Sequence, residues 1–456
     1  MKRTSLIGAA FLLVLALGAG PAPAGDTLTA EQAVSTALAN SPALAASDAE
    51  RAAAEARAAQ AGGHWWPKLD LVEMYHGTTN PSEVFAYQLN QERFEMDEFF
   101  GSDPNNPDWL NNWMTRVELV QPVWLGGRLQ SQVGQAKLMA EAQQHQHRRV
   151  RQQVAFDTLT AFTNLTKARE YHQLMVKARA TTAEHLRLAE EFAEVGMIVK
   201  AEVLKARVYL SEMDELVTQA DSGARLAEAA LNFHMGLEQS TPQELATLPG
   251  NSAAGASLEE WMAMALERRD DLRSARTKRE AGKLEEKKAR SGFMPQIAVI
   301  GRYDLYDDQF LGSNGSSGSV MVNARINLFR GGADSKALDA ARHQTRSYDE
   351  NIDRFQEGIR LEVRQAWQDL ATARARRETA RASLAAAEEA LRITDERFQQ
   401  GLEKMIDLLD AETSLREAEV RELTARYDEA FAIHRLHFAA GHSLIDTDSA
   451  TEDTTL

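Results

Sequence analysis

The feature that most constrains this chain is an internal repeat. Positions 196–210 read GMIVKAEVLKARVYL, and a related segment, GLEKMIDLLDAETSL, begins 205 positions later. Gly196 corresponds to Gly401, and Glu202 corresponds to Asp407. Each glycine stands between two long helical stretches, so it predicts a left-handed turn that joins two antiparallel helices. A repeat of this size indicates a duplicated unit in which each copy carries a helical hairpin.

Two glycine pairs support the duplication. Gly126–Gly127 lies 205 positions before Gly331–Gly332, and each pair precedes a long stretch without proline, at 128–194 and 333–400. At about 1.5 Å per residue, the first stretch predicts a helix about 100 Å long. The second stretch predicts a helix of the same length.

A second spacing marks an insertion. Pro67 and Pro295 begin similar short segments that are 228 positions apart, so the first copy contains 23 additional residues before its glycine pair. We therefore divide the chain into a signal peptide at 1–24, a first repeat at 25–240 with its tip at 196, a linker at 241–256, a second repeat at 257–445 with its tip at 401, and a polar tail at 446–456.

The second long helical stretch carries a heptad pattern. Spacings of three and four alternate along a seam formed by Val363, Ala366, Leu370, Ala373, Arg377, Ala380, Leu384, Ala387, Leu391, Thr394 and Phe398. About half of these side chains are small, which permits close approach of helix backbones. The period predicts a supercoil, but it leaves open whether the helices close into a tube.

Short segments of alternating polarity precede each long helix. They predict strands at about 68–77 and 113–124 in the first copy, and at about 296–307 and 319–329 in the second. Strands of about 10 residues with one apolar face are typical of outer-membrane proteins, although a soluble sandwich shows the same alternation. The segments 77–112 and 312–319 are predicted to be the loops that connect the strands.

Composition restricts where the protein works. Residues 1–24 combine Lys2–Arg3, an apolar run and a small-residue cleavage site, which together predict export through a signal peptide. The chain has no cysteine, so the fold uses no disulfide bond. A formal net charge of −16 argues against nucleic acid as a partner.

These features together resemble the TolC-like outer-membrane efflux protein family. The resemblance rests on the duplicated hairpins, on QPVWLGG at 121–127 and on GLEKMIDLLDA at 401–411. It implies an α+β membrane protein in which three chains form a 12-strand outer-membrane β-barrel that continues into a long periplasmic α-helical barrel. It also implies an exit duct of a tripartite efflux pump or type I secretion system, with a periplasmic adaptor, an inner-membrane transporter and outer-membrane lipid as partners.

The resemblance implies roles for the tip residues. Asp407 and Asp410 match an acidic pair that lines the closed periplasmic gate, and Glu202 matches an acidic residue that helps to latch it. Two positions depart from the family archetype, because Glu403 replaces an arginine and Phe398 replaces a tyrosine. The archetype's latch therefore cannot form here, and the spacing leaves open whether Lys200, Lys205 or Lys404 replaces it.

Glycines and their neighbours complete the expected sites. The hairpin tips, where an adaptor is expected to dock, comprise Gly196, Met197, Gly401 and Leu402. The expected turns from strand to helix are the glycine pairs, Gly126 with Gly127 and Gly331 with Gly332.

A scaffold protein and a hydrolase are the alternatives to an exit duct. A secreted or periplasmic coiled-coil scaffold explains the heptads, but it does not explain the repeated strand pairs. A hydrolase using paired acids is disfavoured because the sequence contains no pattern of nucleophile and base. A metal site at His434, His437 and His442 is disfavoured because such histidines usually pack or face solvent. We therefore predict a non-enzymatic protein without cofactor or metal.

Overall fold

The computed structural model describes residues 27–101, 103–246 and 256–442, without the side chains of 98–100. The predicted signal peptide, the middle of the predicted linker and the polar tail lie outside these residues. In chain order the elements are α1 (Ala30–Asn40), α2 (Pro42–Gly63), β1 (Lys68–Thr78), α3 (Pro81–Asn90), α4 (Met96–Gly101), β2 (Leu110–Leu125), α5 (Arg128–Glu194), α6 (Lys200–Met235), α7 (Leu258–Arg268), α8 (Asp270–Arg290), a 3-10 turn (Ser291–Phe293), β3 (Gln296–Asp307), β4 (Gly315–Arg325), α9 (Ala333–Gln399) and α10 (Met405–Ala439).

The first copy begins with two helices rather than one. The sequence predicts helical structure from Leu28 to about Ala61, with Thr29 or Ser41 as candidate caps. The structure divides this segment at Ser41, whose backbone is extended. Pro42 lacks the backbone N–H that a continuous helix requires. The Ser41 hydroxyl instead caps α2 by accepting a hydrogen bond of 3.3 Å from the backbone N–H of Leu44.

The second copy repeats this break with different residues. Arg269, which is 228 positions after Ser41, separates α7 from α8 and has φ −63° and ψ 118°, against −65° and 118° at Ser41. Thr29 and Ser257, also 228 positions apart, both begin their helices with a capping box. The helices of the two copies therefore begin and end at equivalent positions, although the residues at the break, Ser41 and Arg269, are different.

The four strands form one antiparallel sheet in the order β1-β2-β3-β4. The bounds of β3 match the predicted 296–307, but β4 begins and ends about four residues earlier than the predicted 319–329. The predicted loop at 312–319 is therefore wrong in its second half, since Gly315 to Ser319 already pair with β3. The connection between β3 and β4 is the segment 308–314.

The sheet has one apolar and one charged face, as the alternation predicts. On the apolar face, Leu71 pairs with Val117, which pairs with Tyr303. On the other face, Arg116 donates from Nε to Asp304 Oδ1 at 2.7 Å, and Arg302 donates from Nε to Glu118 Oε2 at 2.5 Å. Cross-strand ion pairs of this kind stabilise the register of the sheet.

The segment between β1 and β2 is not the plain loop that the sequence predicts. Residues 77–112 contain α3 and α4, while β1 continues to Thr78 and β2 begins at Leu110. Gln91, at the end of α3, is fully buried and donates from Nε2 to the carbonyl oxygens of Asn111 at 2.9 Å and Asp307 at 3.3 Å. This side chain holds α3 against the ends of β2 and β3.

The long helices form the main body of the protein. The predicted helices at 128–194 and 333–400 are confirmed as α5 and α9, which contain 67 residues each. α5 packs along α6, α9 packs along α10, and α5 also contacts α10. The predicted seam is confirmed at its buried members, Val363, Ala366, Leu370, Ala373, Ala380 and Phe398. None of the described helices is long and apolar enough to cross a membrane.

Candidate functional site at the hairpin tips

Both hairpins end in the same backbone motif. Gly196 and Gly401 have φ values of 81° and 72°, a left-handed conformation that glycine adopts without strain. In the first tip, the N–H of Met197 donates to Phe192 O at 2.8 Å; in the second, the N–H of Leu402 donates to Arg397 O at 2.9 Å. These bonds, with those made by the glycine N–H groups, satisfy the last carbonyls of α5 and α9.

The two tips touch each other. A Cβ atom at Gly401 would lie 3.4 Å from Met197 Cε of the first tip. Beneath this contact an apolar cluster joins both hairpins, comprising Leu186, Ala189, Val203, Ala206, Phe398, Met405, Leu408 and Leu409. Phe398 is fully buried in this cluster, with its ring centroid 5.7 Å from that of Phe192.

Asp407 and Asp410 are both exposed on the first turns of α10. Asp407 Oδ2 accepts a hydrogen bond of 3.3 Å from the backbone N–H of Lys404, so this carboxylate also caps the helix. An acidic side chain at a helix N-terminus is stabilised by the helix dipole. Asp410 lines an open groove of about 430 Å³ between α6 and α10, together with Leu204 and Lys205.

Glu202 occupies the equivalent first turn of α6. Its side chain is about one-fifth exposed, and Oε1 lies 3.5 Å from Lys205 Nζ on the same helix. Oε2 is buried without a hydrogen-bond partner among the described residues. Of the three lysines that the sequence left open as partners, Lys205 is therefore the one that pairs with this acid.

The predicted strand-to-helix turns all have left-handed glycines. Gly126, Gly127, Gly331 and Gly332 have φ values between 61° and 84° and lie between a strand and the start of α5 or α9. A Cβ atom on Gly126 would lie 2.6 Å from Met294 Cβ and 2.9 Å from Ser291 O. The same position on Gly331 is open, with no atom of the described residues within 4 Å.

The model of a family described as outer membrane efflux protein matches residues 33–237 and 261–442. The chain belongs to this family. The two matched ranges contain both hairpins and all four strands, and the interval between them contains the linker. This efflux protein is thus an outer-membrane protein that acts as an exit duct.

Individual relatives of this efflux protein are distant. The chain is 23% identical to the outer membrane efflux protein BepC of Brucella suis biovar 1 over 342 residues, which are 74% of each chain. It is 24% identical to the protein CyaE of Bordetella pertussis over 442 residues, which are 95% of this chain and 88% of CyaE. Its fold resembles the crystal structure of the outer membrane protein VceC of Vibrio cholerae, with a TM-score of 0.76 at 18% identity, over 91% of this chain and 97% of VceC.

A polar cluster below the tips of the efflux protein was not found from the sequence. His185 of α5 contacts Glu412 of α10 through Nδ1, and its Nε2 lies 3.7 Å from Asp395 Oδ1 of α9. Thr182 donates to Glu412 Oε2 at 3.3 Å. One signal was present, since His185 is eleven residues before Gly196 and Glu412 is eleven residues after Gly401. Residues equally far from two adjacent tips lie at the same level.

The charge of His185 is set by its surroundings. Burial alone would lower the pKa of this histidine, since it disfavours the charged form. The contact with Glu412 and the charges of Glu412, Asp395 and Glu184 outweigh burial, and they raise the pKa above its ordinary value. The protonated form is therefore stabilised by the native packing.

The histidines near the end of α10 form a packing cluster. His434 is buried, and the His437 ring lies 5.1 Å from the rings of Trp261 and His442. Burial, with the neighbouring histidines, lowers the pKa of His437 to about 4. Within the described ranges, no group of three or more His, Cys, Asp or Glu side chains has a geometry that could hold a metal ion.

Proposed function

We propose that this efflux protein works as a trimeric exit duct of a tripartite efflux pump or type I secretion system. The observation that carries the proposal is the open sheet. Among the described residues, β1 pairs only with β2, and β4 pairs only with β3. A membrane requires every backbone group to be paired, so these two edges must meet the edges of other copies. Three copies would close a barrel of 12 strands.

The two faces of the sheet fit this arrangement. Val320 and Val322 are 81% and 68% exposed in a single chain, and Leu69 and Leu71 on the same face are similarly exposed. An exposed apolar face of this kind is suited to contact with lipid, whereas on a soluble coiled-coil scaffold it would face water. The opposite face, with Arg116, Glu118 and their partners, would line a water-filled passage.

The tips supply a docking surface for the periplasmic adaptor. Apolar side chains project from both tips, and more than half of each side chain is exposed at Val195, Met197, Val199 and Leu402. Such patches mark protein interaction sites. Because the shared turn motif holds both tips in fixed conformations, an adaptor would meet two similar apolar tips on every chain.

The acids near the tips form the gate in this proposal. Three copies would place six carboxylates of Asp407 and Asp410 around the entrance, with Glu202 on the neighbouring hairpin. A ring of carboxylates favours the passage of cations and attracts multivalent ones. Since Glu403 pairs with Arg397 and Glu202 pairs with Lys205, the closed state here does not use the archetype's latch.

A matched pair of variants tests the duct. Val322→Lys would place a charge on the lipid face, at a cost of about 2–4 kcal/mol near the middle of the membrane. Asn323→Lys would place the same charge at the adjacent residue of β4, on the opposite face of the sheet, which would line the passage. We expect Asn323→Lys and the wild type to form trimers by native mass measurement and to conduct in planar bilayers, while Val322→Lys fails to insert. A monomeric wild type without conductance, or equal insertion of both variants, would contradict the proposal.

A further inference from the structure

The cluster of His185, Asp395 and Glu412 joins the two hairpins just below their tips. The side chain of His185 is 12% exposed and that of Glu412 is 6% exposed, whereas Asp395 lies at the edge of the cluster. α5 belongs to the first hairpin, and α9 and α10 belong to the second. With its proton, the imidazolium contacts a carboxylate from each helix of the second hairpin. Without the proton, the ring is neutral and the two carboxylates lose their positively charged partner. Unpaired carboxylates are strongly destabilising in a buried site.

Glu412 has a second partner within reach on its own helix. Arg416 is four residues further along α10, a spacing at which acidic and basic side chains pair on one helix face. Both residues line a cavity of about 230 Å³ between the hairpins, together with Lys177 and Tyr209. The Arg416 guanidinium donates to the Tyr209 hydroxyl at 2.6 Å, so it already faces this space. The cavity has room for the carboxylate and for several waters.

We propose that His185, Asp395 and Glu412 form a proton-operated clamp between the hairpins. While His185 is protonated, the clamp holds α5 against α9 and α10 and keeps the two tips together. When His185 loses its proton, Glu412 turns to Arg416 on its own helix. Loss of this polar link shifts the equilibrium toward separated hairpins and a wider periplasmic entrance, against the apolar cluster that still joins the two tips. The clamp rests on the proposed function, because separation of the hairpins matters only if the tips enclose a passage.

The groups around His185 fix the direction of the effect. Asp395 of α9, Glu412 of α10 and Glu184 of α5 favour the protonated ring. The adjacent cavity is bordered by Arg416 and Glu419 of α10 and by Lys177 of α5. On α6, Tyr209 carries a hydroxyl that is bonded to Thr413 and Arg416. Because the pKa of His185 is raised in the clamped state, the clamp is strongest at acidic pH and is lost as the pH rises above about 6.5, the ordinary histidine value. The ratio of open to clamped forms should change up to about tenfold for each unit of that rise.

Spin labels on the second tip of each chain measure the width of the periplasmic entrance. The chain has no cysteine, so Leu402→Cys gives one labelling site per chain at an exposed tip position. In trimers reconstituted in lipid, the distances between labels should be short at about pH 6, below the ordinary histidine pKa, and should lengthen as the pH is raised stepwise above about 6.5. In parallel, planar-bilayer conductance should rise over the same range.

Variants separate the clamp from other titrating groups. His185→Gln should remove the transition and give the longer distances at every pH value, and His185→Lys should keep the shorter ones. Glu412→Gln removes the nearest carboxylate and should move the midpoint to lower pH, an effect that a purely structural role would not produce. His343→Gln, which changes an exposed histidine of α9, is the matched control and should behave as the wild type.

The outcomes are distinct. A wild-type transition in His185→Gln, its loss in His343→Gln, or an unchanged midpoint in Glu412→Gln would each overturn the clamp. If His185→Gln does not assemble, the midpoint in Glu412→Gln decides. If the wild-type protein forms neither trimers nor conducting pores, the proposed function itself is refuted. The conductance of the wild-type protein tests this separately from the clamp.

Discussion

Arg397 Nε donates to Glu403 Oε1 at 2.8 Å, and this ion pair spans the second tip within one chain. Glu403 occupies the position at which the resemblance to the TolC-like family implies an arginine. This carboxylate pairs with a basic residue at the end of α9. Unlike an arginine, it has no N–H group to donate to an acidic residue on the other hairpin. The tip charges in this protein are arranged along each hairpin, because the Glu202–Lys205 pair also lies within one helix.

The first prediction concerns this ion pair. The side chains of Arg397 and Glu403 are 53% and 29% exposed, so solvent screens their attraction. A double-mutant cycle with Arg397→Gln and Glu403→Gln should give a coupling of about 0.2–1 kcal/mol in denaturant unfolding. The coupling should fall at high salt. Coupling well above this range would mean that the pair is part of a larger network.

Substitution by alanine should have opposite effects on stability at the tip glycine Gly401 and at Gly358, which lies within a helix. Gly401→Ala forces a left-handed alanine and should destabilise the protein by about 1–2 kcal/mol. Gly358 lies exposed within α9, with open space where an alanine Cβ would stand, so Gly358→Ala should stabilise the protein by about 0.5–1 kcal/mol. Urea unfolding of both variants measures the difference. The same sign in both would contradict the turn geometry.

Export should depend on the shape of the tip. Gly401→Val adds a branched side chain beside Met197 and strains the turn, so export should be lost while trimers still reach the outer membrane. Substrate efflux from cells and trimer content of membranes provide the two readouts, with Gly358→Ala as the control. Full export by Gly401→Val would remove the tips from the mechanism.

The acidic pair should control ion selectivity. Asp407→Asn with Asp410→Asn removes the negative charge and leaves an amide oxygen that can still cap α10. We expect weaker cation selectivity and weaker block by multivalent cations in planar bilayers, with unchanged trimer assembly. Asp428→Asn, which changes an acid far along α10, provides the comparison. Selectivity and block equal to those of the wild type would refute the gate assignment.

Gly126 and Gly331 occupy equivalent turns, but substitution by alanine should be more harmful at Gly126. Gly331→Ala carries only the strain of a left-handed alanine, about 1–2 kcal/mol. Gly126→Ala adds contacts with Met294 and Ser291, and such overpacking costs about 1–3 kcal/mol more. The yield of folded trimer should therefore fall further in Gly126→Ala. Equal yields would show that the first turn relaxes freely.

Tags should distinguish the two outer connections. Asn105 lies in an exposed turn between α4 and β2, so an inserted tag should be reachable on intact cells. Ser316 lies in β4 opposite Leu305, so a tag there should break the sheet and reduce folded trimer. Surface labelling of cells measures both. A well-folded protein tagged at Ser316 would contradict the register of β4.

Much of the helical architecture was determined by local sequence. The left-handed turns require glycine, and the long helices require stretches without proline, so Gly196, Gly401 and both 67-residue helices were predictable. The seam from Val363 to Phe398 follows from the heptad period. The short helix α3 was missed because it is held by contacts such as those of Gln91 with β2 and β3, which no local pattern records.

What only the tertiary structure decided is which distant side chains meet. Arg269 breaks a helix as Ser41 does, but without a proline, because its buried side chain binds Asp271, Glu362 and the Ala439 carbonyl. In the sequence, His185 is more than 200 residues away from Asp395 and Glu412. The three side chains meet only because the two tips lie side by side. The sequence by itself determined the length and turn of each hairpin and the buried seam of α9, since these depend on backbone preference and periodicity. Packing of one hairpin on the other created the polar cluster between them, because burial and proximity are properties of the folded pair.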